Sequence, residues 1–254
     1  NKKNMRKLEE YAPNERRVVR FVKDEDYNNL EYKEAGKELL TNSEVLLVPM
    51  KKTEEFLDEY TIVDDIQPYD GMTLIVSPYD CAKYSEVEKA NENFAIDRFA
   101  NILRLCHILG AKDVKIDRIF TTNSSQNDKN KREAEYKVVE ASVENKTAHL
   151  NEKVNKLLYK VVWSGGESDY EAAKKYLRKV RMGGDRFLEE LVEMRNTSNN
   201  KLESVKQEIS LSNNMESTNE LLAKISFPMG NGKFEFNTKK ISEEKYYSEI
   251  QIKF

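Results

Sequence analysis

Apolar residues recur along this chain in two rhythms, one of period two and one near 3.6, and the alternation between them sketches the elements. The runs RRVVRFV (16–22), EVLLVPM (44–50) and MTLIVS (72–77) are short, β-branched and bounded by polar or turn residues, which predicts strands. Between the last two, 51–71 has room for a short helix and carries the turn signal Pro68-Tyr69-Asp70-Gly71.

The spacing then predicts a long helix over about 85–109. Ser85 and Glu88 stand three apart, as in a capping box whose side chains satisfy orphan backbone N–H groups. Ala95, Phe99, Ile102, Cys106 and Leu109 follow at the intervals of a buried stripe, and Gly110 sits where a left-handed residue ends a helix. Phe94, Leu105 and Ile108 lie off that stripe. A helix apolar around so much of its circumference is either central to its domain or shared with a partner.

Beyond it the rhythm changes repeatedly. DVKIDRIF (113–120) alternates as a strand, 121–133 is a polar loop, and AEYKVVEASV (134–143) is a strand whose alternation slips at Val138-Val139, as at a bulge. LNEKVNKLLYKVVW (150–163) has helical spacing but a β-rich end, so its apolar pattern leaves helix and strand both open. After Gly165-Gly166, Ser168 with Glu171 predicts one helix start. DRFLEELVEMRN, after Gly183-Gly184, predicts a second helix, and Ser217 with Glu220 a third start. LESVKQEISLS (202–212) is ambiguous. KFEFN and YYSEIQIKF alternate as closing strands, with Pro228 and GNGK (230–233) as the turn before them. Strands and helices intersperse with no sustained βαβ rhythm. The expectation is therefore α+β: a mixed sheet with several packed helices, one of them the long central apolar helix. The expected organisation is a core domain over 1–164 and a C-terminal helical and β subdomain over 166–254, possible as a continuation of the first.

Composition narrows the chemistry. With 34% charged and 39% hydrophobic residues and a net charge of −3, the 254-residue chain is long enough for a sizeable core and reads as soluble. It shows no basic excess of the kind that neutralises phosphates, although NKKNMRK (1–7) and NDKNKRE (127–133) are local basic runs. Nucleic acid is thus a possible partner but not the favoured one. Two cysteines and two histidines supply neither a disulfide framework nor zinc-ligand spacing. No apolar run reaches the ~18 residues of a membrane span. The expected setting is cytoplasmic, with no membrane partner; the chain opens at Asn1, so a missing leader carries little weight.

Three local features carry candidate chemistry. Cys106 and His107 are adjacent, but neighbours on a helix diverge by about 100°, so they read as a core thiol and a boundary histidine. GNGK lacks the strand–loop–helix context of a phosphate loop and reads as a hairpin turn. Asp117 on one strand with Glu135-Tyr136-Lys137 on the next resembles the arrangement in which two carboxylates hold Mg²⁺ and a lysine steadies the attacking water. Glu-x-Lys also occurs at 31–33, 144–146 and 243–245, so the pattern has little specificity here. Thirteen tyrosines, several beside carboxylates or turns, suit protein–protein surfaces. The leading expectation is a soluble intracellular protein-binding or assembly module without catalytic activity or cofactor, engaging a protein partner or another copy of itself. The alternative is a Mg²⁺-dependent nuclease using Asp117, Glu135 and Lys137.

Overall fold

The computed structural model describes residues 15–30, 32, 34–123, 148–158, 163–197, 201–212, 216–229, 232–235 and 244–254. The chain divides into two compact units, both discontinuous in sequence: Asn1–Ala90 with Asn214–Ser242, and Asn91–Asn213 with Glu243–Phe254. Gly165-Gly166 falls inside the second unit. The class is α+β.

The first unit is built on a five-stranded mixed sheet. Its strands are β1 (Val18–Val22), β2 (Val45–Pro49), β3 (Thr61–Ile62), β4 (Thr73–Val76) and β5 (Lys83–Glu86), in the order β2-β1-β4-β5-β3. β1 pairs parallel with β2 and antiparallel with β4, and β3 pairs parallel with β5. The parallel β1–β2 pair needs a crossover, which helices α1 (Asp24–Leu30) and α2 (Glu34–Thr41) supply. Both faces of β1 are covered. Val19 and Phe21 enter a core with Phe56, Tyr60, Met72, Leu74 and Tyr84, while Arg20 on the other face donates to the Thr73 hydroxyl at 2.7 Å. Helix α3 (Thr53–Glu59) delivers Phe56, whose ring stacks on Tyr60 at 4.7 Å and meets Phe21 edge-on at 5.4 Å.

Among the described residues, the second unit pairs an antiparallel sheet with four helices. α4 is Ala90–Ile108, β6 is Asp113–Asn123, α5 spans 148–158, α6 is Tyr170–Lys179, α7 is Arg186–Asn196 and β7 is Ser204–Ser210. Helix α8 (Glu216–Lys224) and the hairpin of β8 (Ser226–Met229) with β9 (Gly232–Glu235) belong to the first unit. The final strand, β10 (Glu244–Lys253), returns to the centre of the second sheet, in the order β6-β10-β7. It alternates with period two: Tyr246, Ser248, Ile250 and Ile252 are buried, and the residues between them are not.

Several expected boundaries move. The long helix exists, but its α-helical part starts at Ala90 after a 3-10 turn at Val87–Lys89. Ser85 is a buried β5 residue, paired opposite Ile75, and not a helix cap. Sheet pairing outcompeted the local capping signal. Likewise α6 is capped by Asp169, which accepts from the Ala172 N–H at 2.9 Å, while the Ser168 hydroxyl donates to the Arg195 carbonyl. In the stretch 150–163, residues 150–158 are helical, with Leu150 and Val154 buried one turn apart, and 159–162 lie outside the described residues. LESVKQEISLS resolves as strand β7. The glycines at 183 and 184 do not take up the left-handed position after α6; Arg181 does, at φ 55°. Its N–H donates to Arg178, and Met182 donates back to Leu177, closing the helix end.

Gly110 behaves as its position predicts. At φ 76° its N–H donates to the His107 carbonyl, and Ala111 donates to Cys106, the paired bonds of a Schellman end. A methyl group added at Gly110 would collide with the Gly166 carbonyl, whose own N–H donates to the Gly110 carbonyl at 3.2 Å.

Helix α4 is the hub of its unit. The Arg98 side chain is buried, donates to the carbonyl of Ser210, the last residue of β7, at 2.8 Å, and pairs with Asp185. Asp185 is also the N-cap of α7, accepting from the Leu188 N–H at 3.2 Å. Arg195 on α7 reaches back to the carbonyls of Leu109 and Leu202 and lies 4.3 Å from the Phe254 ring. These contacts let α4 bury Phe94, Ala95, Phe99, Ile102, Leu105 and Cys106 on a wide arc.

Two substitutions test this framework. Arg98→Met should lower stability to chemical denaturation by about 3 kcal/mol, because it strands a largely buried Asp185 carboxylate; an unchanged midpoint would show that the pair adds nothing. Gly110→Ala should cost about 2 kcal/mol or more, since it combines a left-handed backbone with a collision against backbone atoms; a loss no larger than that of an exposed helical Ala→Gly change would contradict the packing.

Candidate functional site

Of the carboxylate constellation, Asp117 lies among the described residues. Asp117 lies on β6, where Glu249 pairs with Arg118 and Ile250 pairs with Ile116. Asp117 is therefore the extra residue of a β-bulge. The bulge explains why Val114 and Ile119, of opposite parity, are both buried. Glu135 and Lys137 lie outside the described residues, as does the bulge expected at Val138-Val139. Among the described residues no group of three or more His, Cys, Asp and Glu side chains is arranged to hold a metal ion.

The adjacent Cys106 and His107 part as helix geometry requires. Cys106 is fully buried and His107 is exposed. Burial pushes the Cys106 thiol up to about 12, so it stays protonated and non-nucleophilic at physiological pH.

His107 instead opens onto a groove between α4 and α6. The two helices run antiparallel. Asp169, at the start of α6, donates its N–H to the Ile108 carbonyl at the end of α4, and seven residues further along α6 the Tyr176 hydroxyl donates to Asn101 at 2.7 Å, seven residues back along α4. At about 1.5 Å rise per residue both helices advance by about 10 Å between these contacts, so their facing sides stay in step. On α6 the lining residues Ala172, Lys175, Tyr176 and Lys179 follow helical spacing; Ala100, Leu103, Arg104, His107 and Ile108 do so on α4.

Leu157 of α5 and Trp163, the chain's single tryptophan, complete a cavity of about 850 Å³. The Trp163 and His107 ring centroids are 5.9 Å apart with the planes tilted by 42°. The charged residues among those lining the cavity are of one sign. Arg104, Lys175 and Lys179 are exposed cations beside His107, and no Asp or Glu lines it among the described residues. Burial pushes the Tyr176 phenol up, and the nearby Arg104 charge pulls it part of the way back. An apolar floor under a cationic rim can take up an apolar ligand surface and select for negative charge around it.

Sequence reading did not find this site. Its signals were present separately: a lone tryptophan beside Gly165-Gly166, lysines four apart at 175 and 179, and Ile108 off the main stripe. Nothing local joins residues 100–108 to 172–179. Compared with protein-family profiles, curated proteins and solved structures, the chain matches nothing. Among the described residues no helix is long and apolar enough to cross a membrane.

Thiol chemistry checks the placement of Cys106. A water-soluble maleimide at pH 8 should modify Cys81, which is exposed, and spare Cys106 until denaturant is added. Equal labelling of both thiols in the folded protein would contradict the buried position.

Proposed function

We propose that this chain is a protein-binding module that acts without catalysis, and that its partner docks in the groove between α4 and α6. One observation supports this reading above the others: an apolar floor that includes the only tryptophan, rimmed by Arg104, Lys175 and Lys179 and by no described carboxylate. Tryptophan and arginine are the residues that most often carry interface energy. A soluble intracellular, cytoplasmic setting fits the two unpaired cysteines and the charged composition.

The rival is the Mg²⁺-dependent nuclease built on Asp117, Glu135 and Lys137. In its favour is the bulge at Asp117, since bulges often re-aim side chains at active sites.

A steric block separates the two readings. Ala100→Gln with Ala172→Gln fills the groove with neutral side chains at two half-buried helical positions. Affinity capture and sedimentation velocity on both proteins should show partner binding or self-association in the original chain, weakened about tenfold or more by the block. Identical partners and identical mass in both proteins would remove the groove from the account. In parallel, single- and double-stranded nucleic acid should survive incubation with the chain and Mg²⁺. Cleavage that disappears in Asp117→Ala would transfer support to the nuclease.

A further inference from the structure

We infer that the occupant of the groove is an acidic amphipathic helix carried by another protein. This rests on the reading of the groove as a docking surface and adds the chemistry of what docks.

The shape of the walls comes first. α4 and α6 lie antiparallel and in step, so their facing residues form two ridges with a straight trough between them. From Ala100 to Ile108 the trough runs about 12 Å, the length of two to three helical turns. A third helix packs against a helix pair by laying its own ridge into such a trough.

The floor sets the inner face of the occupant. Leu103, Ile108 and Leu157 are aliphatic, and Trp163 and Tyr176 add aromatic surface. The matching ligand face is a stripe of apolar side chains at helical intervals.

The rim sets the flanks. Arg104 on one wall and Lys175 and Lys179 on the other place cations on both sides of the trough. Carboxylates flanking the apolar stripe would meet them, and basic flanks would be repelled. Single-stranded nucleic acid is the competing polyanion. It needs a long cationic track with successive stacking platforms, whereas this trough is about 12 Å long, is floored by Leu103, Ile108 and Leu157, and holds its Tyr176 ring by a hydrogen bond to Asn101, in a chain of net charge −3.

The lone tryptophan makes the test direct, because intrinsic indole fluorescence of the full chain reports this groove alone. A displayed library of random peptides of about 16 residues, long enough to nucleate a helix, is selected on the full chain. It is counter-selected on the neutral steric block Ala100→Gln/Ala172→Gln, and the recovered peptides are then compared on the exposed charge variant Arg104→Glu/Lys175→Glu/Lys179→Glu, whose fold is checked by circular dichroism. The expected survivors carry Asp or Glu beside apolar residues at i, i+3, i+4 and i+7. As synthetic peptides they should shift Trp163 emission saturably, bind about tenfold or more weakly to the charge variant, and lose affinity as salt rises from about 50 to 300 mM.

The inference is overturned by no enrichment; by enriched peptides without acidic character; by binding that ignores charge reversal; or by a single-stranded oligonucleotide that outcompetes the peptides. A concentration-dependent Trp163 shift without peptide would assign the groove to a second copy of the chain. If the neutral steric block removes a partner but charge reversal does not, the docking reading stands and the acidic helix falls.

Discussion

The second unit depends on one buried ion pair. Arg98 projects from the middle of α4 and meets Asp185 at the start of α7, while its Nε–H donates to the Ser210 carbonyl at the end of β7. A buried guanidinium is costly to desolvate, and it is tolerated where its donors find acceptors in good geometry. Asp185 serves twice, as counter-ion and as helix cap. The pair thereby fixes where α7 begins, which face of α4 turns inward, and where the sheet ends. Arg195 repeats the device at the far end of α7, binding the Leu109 and Leu202 carbonyls under the Phe254 ring.

That anchoring has a consequence for the groove. With Arg98, Phe99, Ile102 and Cys106 directed inward, the residues at 100, 104 and 107 of the same helix are left on the outer side. The Gly110 helix end then turns the chain, and the close approach of Gly166 brings Asp169 onto the Ile108 carbonyl. From that point α6 can only run back along α4. Two glycines and one backbone bond therefore align a wall carrying Lys175 and Lys179 with a wall carrying Arg104. The groove is a product of core packing on its other side, which is why a stability determinant such as Arg98 and a docking surface share one helix.

Periodicity in the sequence made most elements legible. β1, β2, β4 and β10 lie where alternating or β-branched runs stand, and the five stripe residues that the spacing names are all buried, four on α4 and Leu109 just past its end. Elements were misread where two signals competed for the same residues. Ser85 carries a good capping pattern yet pairs in β5, and Ser168 precedes a better cap in Asp169. At Asp117 the slip from Ile116 to Ile119 was visible in DVKIDRIF, but a single slip in eight residues resembles imperfect alternation, and only the pairing with β10 identifies a bulge.

The sequence alone determined the class of the protein, the divergence of the adjacent Cys106 and His107 side chains and the presence of a helix too apolar to be one-faced. Those properties follow from side-chain type and from spacing within a single element. Tertiary structure decided which strands pair, that β10 closes the second sheet from the end of the chain, and that three cations and one indole share a trough. In the second unit these depend on contacts between residues 37 to 140 positions apart. Local periodicity carries no record of such distances, because the energy that selects them resides in packing and in buried charge.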